Sequence, residues 1–128
     1  MKNIVVLLLL MVSTNVFAEW TKIASVNDNT VYIDIGSIKR KGNKVKVWYL
    51  YDFNTVRKFE NYNYLSQVQH DEFDCKDTTS RMLDYYWYSG NKRSGGVVYS
   101  ETNIKDVGIS IMPDSILEGL FTIVCGKK

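Results

Sequence analysis

The chain has 128 residues and a net charge of only +2, from 16 Lys and Arg against 14 Asp and Glu. Such near balance, with no basic stripe, argues against a nucleic-acid binder. Aromatic residues make up 13% and proline occurs once, a composition that suits strands better than a disordered linker.

Met1-Lys2-Asn3 is a short, positively charged start, followed by an uncharged run over residues 4–12 and then Ser13-Thr14-Asn15. Val16-Phe17-Ala18 ends in a small residue. These are the three regions of a signal peptide, with cleavage expected after Ala18. The apolar run is about half the ~20 residues a spanning helix needs, and no comparable run follows, so no transmembrane segment is expected after cleavage. No cysteine precedes Cys75, which leaves no attachment point for a lipoprotein-type anchor. The expectation is an exported protein, periplasmic or secreted and not a lipoprotein, with residues 19–128 forming one domain of about 110 residues.

In the mature part, residues 19–26 and 30–35 read as two strands joined by the turn Asn27-Asp28-Asn29. A polar, basic connection over residues 36–43 follows. Residues 44–53 alternate strictly: Val45, Val47, Tyr49, Tyr51 and Phe53 on one face, Lys44, Lys46, Trp48, Leu50 and Asp52 on the other. The second set is mixed and needs partial cover. After a connection around 54–60, strands are expected at 62–74, 78–88 and 96–101, the last two joined by a turn over 89–95. At the end of the chain the period changes. Ile116, Leu117, Leu120, Phe121 and Val124 share one helix face, Pro113 suits a helix start, and Ser115 with Glu118 has capping-box spacing.

Cys75 and Cys125 are the only cysteines. In an oxidising compartment they pair by default, and closing a loop of roughly 50 residues stabilises the fold by about 4 kcal/mol in the chain-entropy model. The bond pins the terminal helix to the sheet, and the helix is expected to cover the mixed face of the 44–53 strand. The fold class is therefore α+β: a single antiparallel sheet of about six strands with a C-terminal helix on one face.

Val31-Tyr32-Ile33-Asp34-Ile35-Gly36-Ser37-Ile38, Ser66 ahead of Asp74-Cys75, the aromatic strand with Gly90, and Met112-Pro113-Asp114-Ser115 running to Val124-Cys125 stand in this order. In them the chain resembles the bacterial surface-adhesin protein E family, over nearly the whole mature domain. The resemblance implies a six-stranded antiparallel sheet with a disulfide-tethered C-terminal helix, and a non-enzymatic binding module directed at protein partners.

No catalytic, cofactor or metal site is expected. His70-Asp71-Glu72-x-Asp74 alternates across a strand, with His70, Glu72 and Asp74 on one side and Asp71 on the other, and reads as a solvated face. The single histidine is too little for a metal cluster. No nucleophile elbow or phosphate loop is present. The candidate partner-binding residues are basic: Lys39, Arg40, Lys41 and Lys44 in one connection, Lys92 and Arg93 in another. As hairpin tips they would meet at one end of the sheet and attract an anionic glycan, a lipid head group or an acidic protein. Tyr85 to Tyr88, with Tyr62 and Tyr64, offer an aromatic patch, about half of it core. Uncovered edge strands make a homodimer possible. An adhesin-like binding module is the leading reading; the alternative is a periplasmic inhibitor or accessory factor of a cell-wall enzyme.

Overall fold

The computed structural model describes residues 19–126; the signal-peptide expectation for residues 1–18 lies outside the described residues. Strands β1 (Trp20–Val26), β2 (Asn29–Asp34), β3 (Lys39–Lys41), β4 (Lys44–Phe59), β5 (Tyr62–Asp74), β6 (Thr79–Tyr88), β7 (Val97–Glu101) and β8 (Ile109–Ser110) precede one helix, α1 (Ile116–Cys125). All pairings are antiparallel, in the order β1-β2-β4-β5-β6-β7, with β3 added beside β4 and β8 beside β6. The sheet thus has eight strands rather than six. The two extra ones are three and two residues long, too short to show alternation.

Most of the expected connection at 54–60 is strand instead, with Glu60 in the turn to β5. β4 runs 16 residues, and its register against β5 shifts between Asp52 and Arg57. A bulge absorbs the surplus residues there, and the Asn54 amide donates to the Asp28 carbonyl at 2.8 Å.

Alternation places Val31, Ile33, Val45, Val47, Tyr49 and Phe73 on one face, and there Leu120, Phe121 and Val124 of α1 pack on them to form the core. Helix α1 therefore covers the uniformly apolar face of β4, not the mixed face as expected. The cause is energetic. Val45, Val47 and Tyr49 are wholly buried, and a stripe of that kind gains most from a cover at roughly 1.5–3 kcal/mol per large side chain. Ser115 caps α1 by accepting from the Glu118 amide at 3.2 Å, while Glu118 accepts from the Asp114 amide, one residue short of a full capping box.

Cys75 and Cys125 are bonded, with Cα atoms 5.5 Å apart. The disulfide ties α1 to the sheet at the end where β4 begins, because Lys44 pairs with Asp74. No helix among the described residues is long and apolar enough to cross a membrane.

Candidate functional site

The face opposite α1 is built from every second residue of the same strands. The pairings line up Trp20 with Asp34, Trp48 with His70 and His70 with Asp84 in one row. The next row holds Tyr32, Leu50, Val68 and Tyr86, and beyond it lie Asp52, Ser66 and Tyr88. This face carries the mixed set of β4, and what covers it is a loop. Residues 91–93 form a 3₁₀ turn after β6 that folds back over it. The Asp52 carboxylate accepts from the Asn91 side chain and the Lys92 amide; the Ser66 hydroxyl accepts from the Arg93 amide and donates to the Gly90 carbonyl at 2.7 Å. Lys92 Nζ sits 4.7 Å from the Tyr32 ring. On this face Leu50 is fully buried and Val68 is 5% exposed.

Lys92 and Arg93 both have left-handed backbone, with φ of 48° and 65°. For residues bearing a Cβ this costs on the order of 1–2 kcal/mol each. The clamps from Asp52 and Ser66 hold the loop there. Gly95, at φ 72°, closes it, and a Cβ at that position would collide with the Ser89 hydroxyl.

Beside the loop lies a cleft of about 410 Å³ lined by Trp20, Asp34, Trp48, Val68, Tyr86, Tyr88 and Arg93. That is the size range of small-ligand pockets. The His70 ring stacks on Trp48 at 4.3 Å and 3°, and Tyr86 is tilted against Trp48 at 6.2 Å. His70 Nδ1 contacts the Asp84 carboxylate at 3.0 Å, which holds the imidazole against the indole. Asp34 stands in the row between Trp20 and Trp48, and its carboxylate has no hydrogen bond or ion pair among the described residues. Among the described residues the Arg93 guanidinium makes one hydrogen bond, from Nε to the Tyr88 hydroxyl at 3.4 Å. A second cleft of equal volume adjoins, lined by Lys46, His70, Arg81, Leu83, Asp84, Asn103, Ile104 and Lys105. In it Arg81 Nε donates to Glu72 at 2.9 Å, and Lys44 pairs with the same carboxylate at 3.8 Å.

The expected basic residues are placed as follows. Lys39 and Lys41 pair opposite Lys46 and Lys44, so all four share the helix-free face. Arg40 points the other way, its guanidinium 3.4 Å from the Val124 carbonyl at the end of α1 and 3.7 Å from Cys75 Sγ; it serves the fold. The two basic clusters do not meet at one end of the sheet. Lys44 and Asp52, their anchors on β4, are eight residues apart, about 26 Å at strand pitch. They occupy the two ends of one face, with the aromatic cleft between them.

The His70 to Asp74 segment alternates as expected but is less solvated. Asp71, on the α1 side, is 2% exposed and accepts from Tyr49 Oη at 2.8 Å and from Gln69 Nε2 at 2.9 Å. Burial pushes its carboxyl up from the ordinary value, with those hydrogen bonds opposing the shift. The chain of bonds continues through Gln67 to Trp87 Nε1. Among the described residues no group of three or more His, Cys, Asp and Glu is arranged to hold a metal.

Alternation also divides the aromatic strand. Tyr86 and Tyr88 face the cleft. Tyr85 and Trp87 lie on the α1 side, where Trp87 stacks on Tyr64 at 4.2 Å and contacts Phe59, Tyr62 and Tyr99. Those rings complete one another, and the indole N–H is satisfied. The cleft rings leave a space and two charges without an ion pair among the described residues. Sequence reasoning missed Trp20, Asp34 and Trp48 as site residues; their shared row was visible only once β1, β2 and β4 were known to be neighbours.

A single antiparallel sheet with a helix strapped to one face and an aromatic, charged cleft on the other defines a binding module. The surface-adhesin protein E family matches residues 20–126, and the chain belongs to that family of adhesin-like surface proteins. Crystal form II of Haemophilus influenzae protein E superposes with a TM-score of 0.67 at 17% identity, covering 88% of this chain and 91% of that one. Protein E from non-typeable Haemophilus influenzae gives 0.62 at 19% identity, covering 88% and 78%. At these identities the likeness is one of fold. No curated protein sequence matches the chain significantly.

Proposed function

We propose that the chain is a non-enzymatic, exported adhesin-like module that engages its partner through the helix-free face. The observation that carries this reading is the cleft between β1 and the 91–93 loop, where aromatic rings flank a carboxylate and a guanidinium that have no ion pair among the described residues. A fold would not retain strained backbone at Lys92 and Arg93 for solubility alone, since an unstrained loop would solubilise the sheet end as well. Lys39, Lys41, Lys44 and Lys46 at one end and Lys92 at the other extend the surface for acidic protein or glycan contacts.

Immobilised protein is tested for binding to extracellular-matrix proteins and to a glycan array. Trp48→Ala should lose at least 90% of the signal for any partner bound, while Tyr99→Phe, on the opposite face, keeps it. Equal binding by the wild type and Trp48→Ala would remove the helix-free face as the binding surface. Retained binding by Lys39→Glu with Lys46→Glu would confine the contact to the cleft.

A further inference from the structure

We infer that the cleft is a receptor for phosphocholine, the trimethylammonium group lying among Trp20, Trp48 and Tyr86 beside Asp34, and the phosphate on Arg93. The inference rests on the reading that the helix-free face binds a partner. Three observations converge on it. First, the lining holds four aromatic rings, of Trp20, Trp48, Tyr86 and Tyr88, and a carboxylate, and ring faces attract a cation that brings no hydrogen-bond donors of its own. One face of Trp48 is occupied by His70; the strand order places Asp34 and Trp20 on its other side. Second, Asp34 and Arg93 line the same cleft with opposite charge, yet form no ion pair with each other or with any other described residue. A ligand that satisfies both must itself be a zwitterion with separated poles. Third, the two poles are set apart along the strands yet open into one space. The loop that carries Arg93 is anchored at Asp52, four residues along β4 from Trp48, and Arg93 lines the same cleft as Trp48 and Asp34. The Arg93 terminal nitrogens have no acceptor among the described residues, and a planar guanidinium is suited to two phosphate oxygens at once. A neutral sugar would stack on the same rings but leave both charges unmatched.

The test is calorimetric titration of the purified protein with phosphocholine, choline and phosphoethanolamine. Phosphocholine should bind saturably. Phosphoethanolamine, which lacks the methyl groups, and choline, which lacks the phosphate, should each bind about tenfold more weakly or less. Asp34→Asn, close in shape and on a partly exposed site, should weaken phosphocholine about tenfold; Arg93→Gln should abolish the preference for phosphocholine over choline. Far-UV circular dichroism confirms that each variant is folded. Sedimentation with phosphatidylcholine vesicles separates the sources. Co-sedimentation reversed by free phosphocholine assigns the group to a lipid surface, whereas free phosphocholine bound without vesicle binding assigns it to a water-borne or glycan-linked form. No heat with phosphocholine, equal affinity for phosphoethanolamine, or unchanged binding by folded Asp34→Asn and Trp48→Ala overturns the inference. If phosphocholine fails while Trp48→Ala still abolishes partner binding, the binding face stands and only this ligand falls.

Discussion

Opening the disulfide by Cys75→Ser with Cys125→Ser probes how much of the fold is held by its tether. The bond spans 50 residues and encloses β6, β7 and β8 together with α1. In the chain-entropy model its loss raises the disorder of the unfolded chain by about 4 kcal/mol in free energy. The helix has 10 residues, below the roughly 12–15 at which an isolated helix becomes even marginal in water, so it persists only while docked. Burial of Leu120, Phe121 and Val124 supplies roughly 1.5–3 kcal/mol each, enough to keep α1 on the sheet at low temperature. Domains of this size are stable by about 5–15 kcal/mol, so the variant should fold. Its Tm should fall by about 15–25 °C, taking about 4–6 °C per kcal/mol. Thermal denaturation followed by circular dichroism reads the shift, and hydrogen exchange should show α1 amides exchanging before those of β4 and β5. A drop of less than about 5 °C would refute the clamp, and equal protection of α1 and the central strands would show that packing alone secures the helix.

Gly119 lies inside α1 with nothing near the position a Cβ would occupy, so Gly119→Ala should stabilise by about 0.5–1 kcal/mol through helix propensity; urea denaturation measures it. Ser66→Ala removes the buried hydroxyl that ties Gly90 and Arg93, and should cost roughly 1–3 kcal/mol while weakening ligand binding in the cleft; denaturation and titration read the two effects separately. The raised carboxyl of Asp71 sets a pH dependence. The folded state holds the proton more tightly than the unfolded state, so this contribution is fully present below the ordinary value of 3.8 and is lost as pH rises through the folded value. The stability of the wild type relative to Asp71→Asn should therefore decline as pH is raised from about 4 toward neutrality; a flat difference in denaturation midpoints would contradict it.

The alternating runs of β2, β4, β5 and β6 announced the sheet because one side of each must be dry. The 3.6-residue period announced α1 for the same reason. The far end of β4 was hidden: Asn54, Thr55, Arg57 and Lys58 read as a connection, and only pairing with β5 after a register shift keeps them extended. β3 was hidden differently, since Lys39, Arg40 and Lys41 carry no apolar signal and become a strand through a tight turn at Gly42, φ 63°. The wrong face for α1 follows from reasoning from the tether. Cys75 lies at a strand end, where a disulfide fixes the end of the sheet but not the side. Of the cleft, the facing of Trp48, Tyr86 and Tyr88 was readable by period. The approach of Arg93 was not, because it depends on a loop folding back onto Asp52 and Ser66 from two other strands.

The two faces of the sheet explain each other. With α1 on one side, the core closes around Val45, Val47, Tyr49 and Phe73, and the opposite side is left with Leu50 and Val68 to protect. A second helix would protect them fully and leave no binding surface. A short loop bridged to Asp52 and Ser66 covers only part of this face and leaves Trp20, Trp48 and Tyr86 beside it partly open. The left-handed backbone at Lys92 and Arg93 follows from so tight a return, and it brings the guanidinium to the rim of the cleft. The same residues therefore seal the minor core and supply the anion-binding pole, which is why a change at Ser66 should be felt in stability and in binding together.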